Sequence, residues 1–316
     1  MNIVILGWPT VSNGDISPEI FRGLGSYECY DVLNEEGLCG VVKKADAILL
    51  NRVNITAKVM DSAPNLKYIG LLATGYNNVD VEAASKRGIT VTNIPGYSTN
   101  AVATHTMGFI MALALSLVKY NDHVKNGGWS FAPGCDCFPF KMQELEGKTL
   151  GLFGFGNIAQ RVAQMAQAFG MRVIYYSRTP KAYEGALQVD FDTLLKESDF
   201  LSLHAPLTNQ TEKTFNTEAF SKMKPTSYFI NTARGGIVDE PALAEALNEN
   251  IIAGAAVDVT ANEPLTESYP LFSAKNCIYT PHVAWGAYET RQRLINLAYD
   301  NLKGFCDGKP INVVSK

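Results

Sequence analysis

The stretch TLGLFGFGNIAQRVA, residues 149–163, constrains the fold more than any other part of the chain. An apolar run of strand type ends in Gly154-Phe155-Gly156-Asn157-Ile158-Ala159, after which apolar residues recur at helical spacing. Gly154 permits a tight turn, Gly156 lets the backbone approach a pyrophosphate, and Ala159 is small enough for a helix to pack closely on the strand. The first amides of that helix face outward with the positive end of its dipole behind them, which suits phosphate oxygens. Strand, glycine turn and helix in this order predict a dinucleotide-binding domain of Rossmann type, with Gly154, Phe155, Gly156, Asn157 and Ile158 against the cofactor.

The same alternation runs along the whole chain. Before the motif, strand-like runs at 2–6, 46–50, 67–72 and 89–93 are separated by stretches such as TAKVMDSAP and DVEAASKRG, which carry helix caps and closing Gly or Pro. After it come runs at 172–177, 200–205, 227–233, 252–258 and 277–280, most of them separated by helical spacers. Such alternation makes parallel sheets covered by helices, and 316 residues exceed what one core comfortably serves. The pattern predicts an α/β protein with two doubly wound parallel-sheet domains. A long helical stretch at 100–127 reads as a connector, and a last one at 287–308 could pack back on the first domain and make it discontinuous.

Net charge is −4, from 27 basic and 31 acidic residues without a block of one sign, which argues against nucleic acid as a partner. The N-terminus opens on an apolar strand without a basic leader, and the longest strongly apolar stretch, 107–118, has 12 residues, too few to span a membrane. The expectation is a cytoplasmic protein with no membrane segment. Six cysteines, at 29, 39, 135, 137, 277 and 306, lack the density of a disulfide scaffold. Cys135-Asp136-Cys137 has no second ligand pair near it, so reduced thiols and no metal are expected.

A Rossmann domain normally presents an acid at the end of its second strand, where it accepts from the ribose 2'-hydroxyl and repels a 2'-phosphate. Here that position holds Ser177, 23 residues after Gly154, followed by Arg178. Serine donates a hydrogen bond and arginine offers phosphate a charged planar fork, which favours NADP over NAD; an arginine stacked on adenine or facing solvent is the other reading. Arg234, Glu263 and His282 each follow an apolar run of strand type, at the strand ends where open α/β sheets bind ligands. Reduction of a 2-oxo acid needs a proton donor at the carbonyl oxygen, a task suited to histidine. A glutamate beside it favours the imidazolium and fixes the ring, while an arginine holds a carboxylate and polarises the carbonyl. Taken singly, each residue reads equally as a surface charge or a structural histidine.

Together these residues resemble the D-isomer-specific 2-hydroxyacid dehydrogenase family. The likeness covers nearly the whole chain, through residues 71–80, 147–163, 200–211, 230–240, 255–265 and 279–285. The intervals of 29 and 19 residues between Arg234, Glu263 and His282 (263 − 234 and 282 − 263) match as well. The resemblance implies a Rossmann nucleotide-binding domain over 99–286 and a flavodoxin-like substrate domain split between 1–98 and 287–316, with a cleft between them. It implies Arg234 on the substrate, His282 as acid-base and Glu263 as its partner, with backbone amides of Ala73, Thr74 and Gly75 around the substrate carboxylate. Asp258 is implied at the nicotinamide amide, and His204, Ala205, Pro206, Thr232 and Ala233 along the cofactor, His204 mainly through its backbone. A homodimer formed through the nucleotide-binding domain and the connector helix is implied too.

Two features depart from many relatives. An acid is common at the Ser177 position, so the resemblance leaves NAD or NADP open. His282-Val283-Ala284-Trp285 lacks a glycine soon after the histidine and looks like the glycerate dehydrogenase or hydroxypyruvate reductase branch, where an aromatic walls the substrate pocket. Trp285 packed at the domain junction is the other reading. Arg52 reads either as a second anionic anchor or as a solvated loop residue. The implied activity is NAD(P)-dependent reduction of hydroxypyruvate or glyoxylate to the D-2-hydroxy acid. The alternatives are a D-lactate or other 2-oxo acid reductase, and a nicotinamide-sensing corepressor-like protein without turnover.

Overall fold

The computed structural model describes residues 1–31, 33–129, 137–179, 183–263, 265 and 269–315. The first elements are β1 (Asn2–Leu6), β2 (Ser26–Tyr30), α1 (Glu35–Val41), β3 (Ala47–Leu50), α2 (Ala57–Asp61), β4 (Tyr68–Leu71), α3 (Val81–Lys86) and β5 (Thr90–Thr92). Next come α4 (Thr99–Ala114), α5 (Leu117–Lys125), β6 (Thr149–Phe153), α6 (Asn157–Ala168), β7 (Arg172–Tyr176), β8 (Ala186–Gln188) and α7 (Phe191–Glu197). The chain ends with β9 (Phe200–Leu203), α8 (Thr217–Ser221), β10 (Tyr228–Asn231), α9 (Glu240–Asn248), β11 (Gly254–Val257), β12 (Cys277–Tyr279) and α10 (Tyr288–Cys306). It divides into two units, residues 1–98 with 286–316, and residues 99–285.

The first unit carries a parallel sheet in the order β2-β1-β3-β4-β5, the flavodoxin-like arrangement. β3 and β4 are wholly buried, and Leu6, Ile48, Leu50, Ile69 and Leu71 pack with Leu38, Val59 and Ala84 from α1, α2 and α3. Helix α10 returns to this unit, where Phe305 packs against Tyr68 with the rings tilted and their centroids 5.0 Å apart, and Asn301 Nδ2 donates to Asn93 O at 2.9 Å. The C-terminal segment then runs beside β5, where Val314 N donates to Val91 O at 2.8 Å. Arg291 ties the start of α10 to Val11 O and to both carboxylate oxygens of Asp15, and its guanidinium holds the Asp15 carboxyl down at about 2.

The second unit carries a parallel sheet in the order β12-β11-β10-β9-β6-β7-β8, the Rossmann arrangement, with its reversal between β6 and β9. Both faces are apolar. Leu150, Leu152, Val173 and Tyr175 pack with residues of α4 and α6, while Phe153, Ile174, Leu201 and Leu203 pack with residues of α7, α8 and α9. Helix cover on both faces explains why these strands read as continuous apolar runs rather than alternating ones.

Two features differ from the sequence reading. The helical stretch 100–127 is two helices, α4 and α5, bent by 58°. Ser116 turns into the left-handed region at φ 50°, its Oγ donates to Lys141 O at 2.9 Å, and Gln143 N donates to Ala114 O at 2.8 Å, so a later segment meets the last carbonyl of α4 and ties down the Ser116 turn. Strands β2 (SYECY) and β8 (ALQ), absent from the sequence reading, are edge strands without fully buried residues, and so carry little apolar signal. Among the described residues, no single helix is long and apolar enough to cross a membrane.

Candidate active site

After β6 the backbone passes through Gly154 at φ 90°, where a side chain is strained. A Cβ there would lie 2.7 Å from Ala205 N and 2.8 Å from His204 C, so the glycine lets the loop after β9 close against this turn. Gly156 precedes α6, and nothing lies within 4 Å of where its Cβ would stand. Asn34, Thr56, Asp80, Asp190 and Asn216 cap α1, α2, α3, α7 and α8, whereas no side chain caps α6. Open space beside Gly156, exposed Asn157, half-buried Ile158 and the uncapped start of α6 fit the phosphates of a dinucleotide. Phe155 offers only its backbone, since its ring stacks on Tyr175 at 3.8 Å inside the core.

Ser177 follows β7, its carbonyl accepting from Gln188 Nε2 at 2.9 Å. Arg178 is exposed, and its Nη1 donates to Gln210 Oε1 at 2.6 Å, linking the loops after β7 and β9 on either side of β6. His204 N donates to Phe153 O at 2.8 Å, and a ring nitrogen lies 3.0 Å from Ser202 Oγ. Desolvation by burial pushes the His204 imidazole down to about 3, so the ring is neutral at physiological pH. Ala205 is half-buried and Pro206 exposed, with Pro206 O accepting from Thr211 Oγ1 at 2.7 Å.

The Arg234 turn is closed by the buried side chain of Asn231, which donates to Arg234 O at 3.0 Å and accepts from Ala233 N at 3.0 Å. Thr232 Oγ1 lies 3.0 Å from Thr106 Oγ1 on α4. A Cβ on Gly235 would fall 1.9 Å from Thr260 C, so this glycine lets the turn after β10 press on the loop after β11. Arg234 is exposed, with Nη1 donating to Ala233 O at 2.7 Å.

His282 Nδ1 lies 2.6 Å from Glu263 Oε2, each side chain being 31% exposed, so the pair is shielded yet reachable. A carboxylate accepts from Nδ1–H, which leaves Nε2 as the nitrogen able to exchange a proton. Glu263 Oε1 accepts from Thr260 N at 3.1 Å, and Glu240 braces the same loop by accepting from Ala261 N at 2.7 Å and Tyr269 OH at 2.8 Å. His282 adopts φ 56°, rare for a residue other than glycine. Three consecutive amides hold it there, those of His282, Val283 and Ala284, donating to Asp258 O, Oδ1 and Oδ2 at 2.7, 2.8 and 2.9 Å. Asp258, implied at the nicotinamide amide, is 2% exposed and gives both carboxylate oxygens to this turn. Trp285 Nε1 donates to His282 O at 3.1 Å, closing the turn from the other side.

In the first unit, the loop of Ala73, Thr74 and Gly75 is tied to the segment after β5: Ile94 N donates to Ala73 O, Thr74 Oγ1 to Ile94 O, and Asn93 Nδ2 to Thr74 O, at 2.9, 2.8 and 2.7 Å. Arg52 sits at φ 52° just after buried Asn51, whose Nδ2 donates to Leu72 O at 2.7 Å, so Arg52 and this loop leave the sheet side by side. Cys135 lies outside the described residues. Among the described residues, no group of three or more His, Cys, Asp or Glu side chains is placed to hold a metal ion. Asn231, Glu240, Thr280, Thr106 and His105 were not legible as site residues, since each acts by a contact made only once the sheet forms. Thr280 alone carries a local signal, two residues before His282.

Residues 107–284 match the family described as D-isomer specific 2-hydroxyacid dehydrogenase, NAD binding domain. The chain is 36% identical to a hydroxypyruvate reductase of Blautia hydrogenotrophica over 100% of both proteins. It is 43% identical to a glyoxylate reductase of Thermococcus litoralis, over 87% of this chain and 85% of that protein. Among solved structures, the TT0316 protein of Thermus thermophilus superposes with a TM-score of 0.91 at 36% identity, covering 99% of this chain and 100% of that one.

The His204 environment carries a pH signature. Its folded pKa of about 3 lies below the ordinary 6.5, so between these values the unfolded chain binds the extra proton and stability falls as pH drops. In urea unfolding, His204→Gln should lose about 2 kcal/mol less stability than the wild type between about pH 7 and pH 5. Equal losses would contradict a neutral His204 imidazole.

Proposed function

The chain belongs to the D-isomer specific 2-hydroxyacid dehydrogenase family and is an NAD(P)-dependent oxidoreductase acting on 2-oxo acids, and we propose that hydroxypyruvate and glyoxylate are its substrates, reduced to the D-2-hydroxy acids. The observation that carries this reading is His282 bonded through Nδ1 to Glu263 at 2.6 Å, on loops at the C-terminal ends of the Rossmann sheet. Alignment over its full length with a hydroxypyruvate reductase supports the choice of substrate.

The residues of the Gly154 turn and the start of α6 would hold the cofactor pyrophosphate, with the loops of His204 to Pro206 and of Thr232 and Ala233 alongside. The nicotinamide, when bound, supplies the hydride that reaches C2 of the 2-oxo acid. His282 gives its Nε2 proton to the carbonyl oxygen as charge develops there. Glu263 fixes the ring and stabilises its positive charge before the transfer. Arg234 leaves its bond to Ala233 O to pair with the substrate carboxylate and polarise the carbonyl. The amides of Ala73, Thr74 and Gly75 are proposed as donors to a substrate carboxylate, and Trp285 as a wall that selects small substrates.

For the cofactor we favour NADP. No carboxylate occupies position 177 to repel a 2'-phosphate, and Arg178, held by Gln210 at 2.6 Å, supplies a guanidinium at the strand end. The proposed assembly is a cytoplasmic homodimer. Leu117, Val118 and Val124 on α5, with Leu115 and Trp129 close to it in sequence, are exposed apolar residues of the kind that mark an interface. Sedimentation should return twice the chain mass, and a stable monomer at micromolar concentration would rule the dimer out.

Initial rates with hydroxypyruvate, glyoxylate and pyruvate, each against NADH and NADPH, test the substrate and cofactor together. Hydroxypyruvate or glyoxylate with NADPH should be fastest, and Arg178→Ala should raise KM for NADPH by about tenfold or more while leaving NADH nearly unchanged. Preference for pyruvate would move the reading to a D-lactate dehydrogenase. An Arg178→Ala enzyme with unchanged NADPH kinetics would remove the phosphate-binding role.

A further inference from the structure

His105 lies on α4, 175 residues before Thr280, yet its Nε2 is 3.1 Å from Thr280 Oγ1. Thr280 gives its single hydroxyl proton to Asp258 Oδ1 at 2.5 Å, so in the contact with His105 the threonine oxygen accepts and Nε2–H donates. The direction of the chain is thereby fixed: His105 donates to Thr280, and Thr280 donates to Asp258. The same Asp258 side chain takes the amides of Val283 and Ala284, and its carbonyl takes the amide of His282. His105 is itself confined, with Phe109 edge-on at 4.5 Å and 24% of its side chain exposed, so its ring has a fixed place from which to donate.

The next residue of α4 makes a parallel contact. Thr106 Oγ1, buried, lies 3.0 Å from Thr232 Oγ1 in the turn that carries Arg234. Two consecutive side chains of one helix therefore touch the loop of the proposed acid-base and the loop of the proposed carboxylate-binding arginine. All of these groups lie within the second unit.

We propose that His105 is a positioning residue for His282, acting through Thr280 and Asp258 to hold the left-handed turn that aims the imidazole. It touches neither substrate nor cofactor in this role. Loss of its donor frees the Thr280 hydroxyl to rotate, which releases Asp258 Oδ1 from one of its two partners and lets the 282–284 turn drift. Drift of the proton donor lowers the rate of the chemical step more than the binding of substrate, because the alignment matters most in the transition state. The inference rests on the function proposed above only where turnover is the readout.

The test pairs kinetics with a spectroscopic signature in the intact protein. His105→Leu removes the donor, His105→Gln keeps one near the position of Nε2, and Thr280→Val and Thr280→Ser form the matching pair one step along the chain. The Leu and Val variants should lose about tenfold in kcat with KM for the 2-oxo acid within about twofold, and the Gln and Ser variants should recover most of it. The chain has four histidines, so long-range proton–nitrogen spectra can follow the Nδ1–H of His282 in its bond to Glu263. That signal should stay sharp in the wild type and the conservative variants and broaden in the Leu and Val variants. Wild-type kcat with an unchanged His282 signal in His105→Leu overturns the proposal, as does equal impairment of the Leu and Gln variants. If the wild type reduces no 2-oxo acid but the His282 signal responds as described, the function falls and the positioning role stands.

Discussion

Three consecutive backbone amides converge on one aspartate, and the geometry of the proposed acid-base depends on that convergence. A non-glycine residue in the left-handed region costs about 1–2 kcal/mol. Hydrogen bonds to a charged acceptor contribute about 1.5–3 kcal/mol each, so the bonds from Val283 and Ala284 to the Asp258 carboxylate offset the strain at His282. Asp258 in turn stands where it does because β11 is in register with β10 and β12, Val257 lying opposite Asn231 and Tyr279. That register is held by burial of both faces of the sheet, which is the work of the apolar runs visible in the sequence. Core packing thus reaches the His282 turn through one aspartate.

The seven-stranded sheet separates two tasks along its C-terminal edge. At the reversal between β6 and β9, glycines bring backbone close to backbone and leave open the start of α6, the proposed place of the cofactor phosphates. At the ends of β10, β11 and β12, side chains do the work: Asn231 shapes the Arg234 turn, Glu240 braces the Glu263 loop and Asp258 shapes the His282 turn. Helix α4 contacts the second group through His105 and Thr106.

What could be read from sequence follows the range of the interaction responsible. The Gly154 to Ala159 motif was legible because tight turn, open backbone and close helix packing are demands on neighbouring residues. The central strands were legible from their apolar runs, whereas β2 and β8, at the sheet edges, bury too little to show. The bend at Ser116 was hidden because the groups that satisfy it, Lys141 O and Gln143 N, come from a later segment. Arg234, Glu263 and His282 stood out by position and type, and the resemblance implied the pairing of Glu263 with His282, whose 2.6 Å contact through Nδ1 the fold then supplies. His105 carried no sign at all, since a helical histidine gains meaning only when Thr280 is brought to it. The burial of Phe155 was equally invisible, because a glycine loop usually turns its side chains outward while here the ring finds Tyr175.

In the proposed reaction, hydride reaches C2 of a short 2-oxo acid while His282 delivers the proton. Reduced cofactor deuterated at its transferring position, mixed with hydroxypyruvate in a single turnover, tests this directly when the product is analysed by NMR and chiral separation for the wild type and His282→Gln. The expected product is D-glycerate with deuterium at C2, formed about 10²–10⁴ times more slowly by the variant. L-glycerate, deuterium at any other carbon, or an unimpaired His282→Gln protein would contradict it.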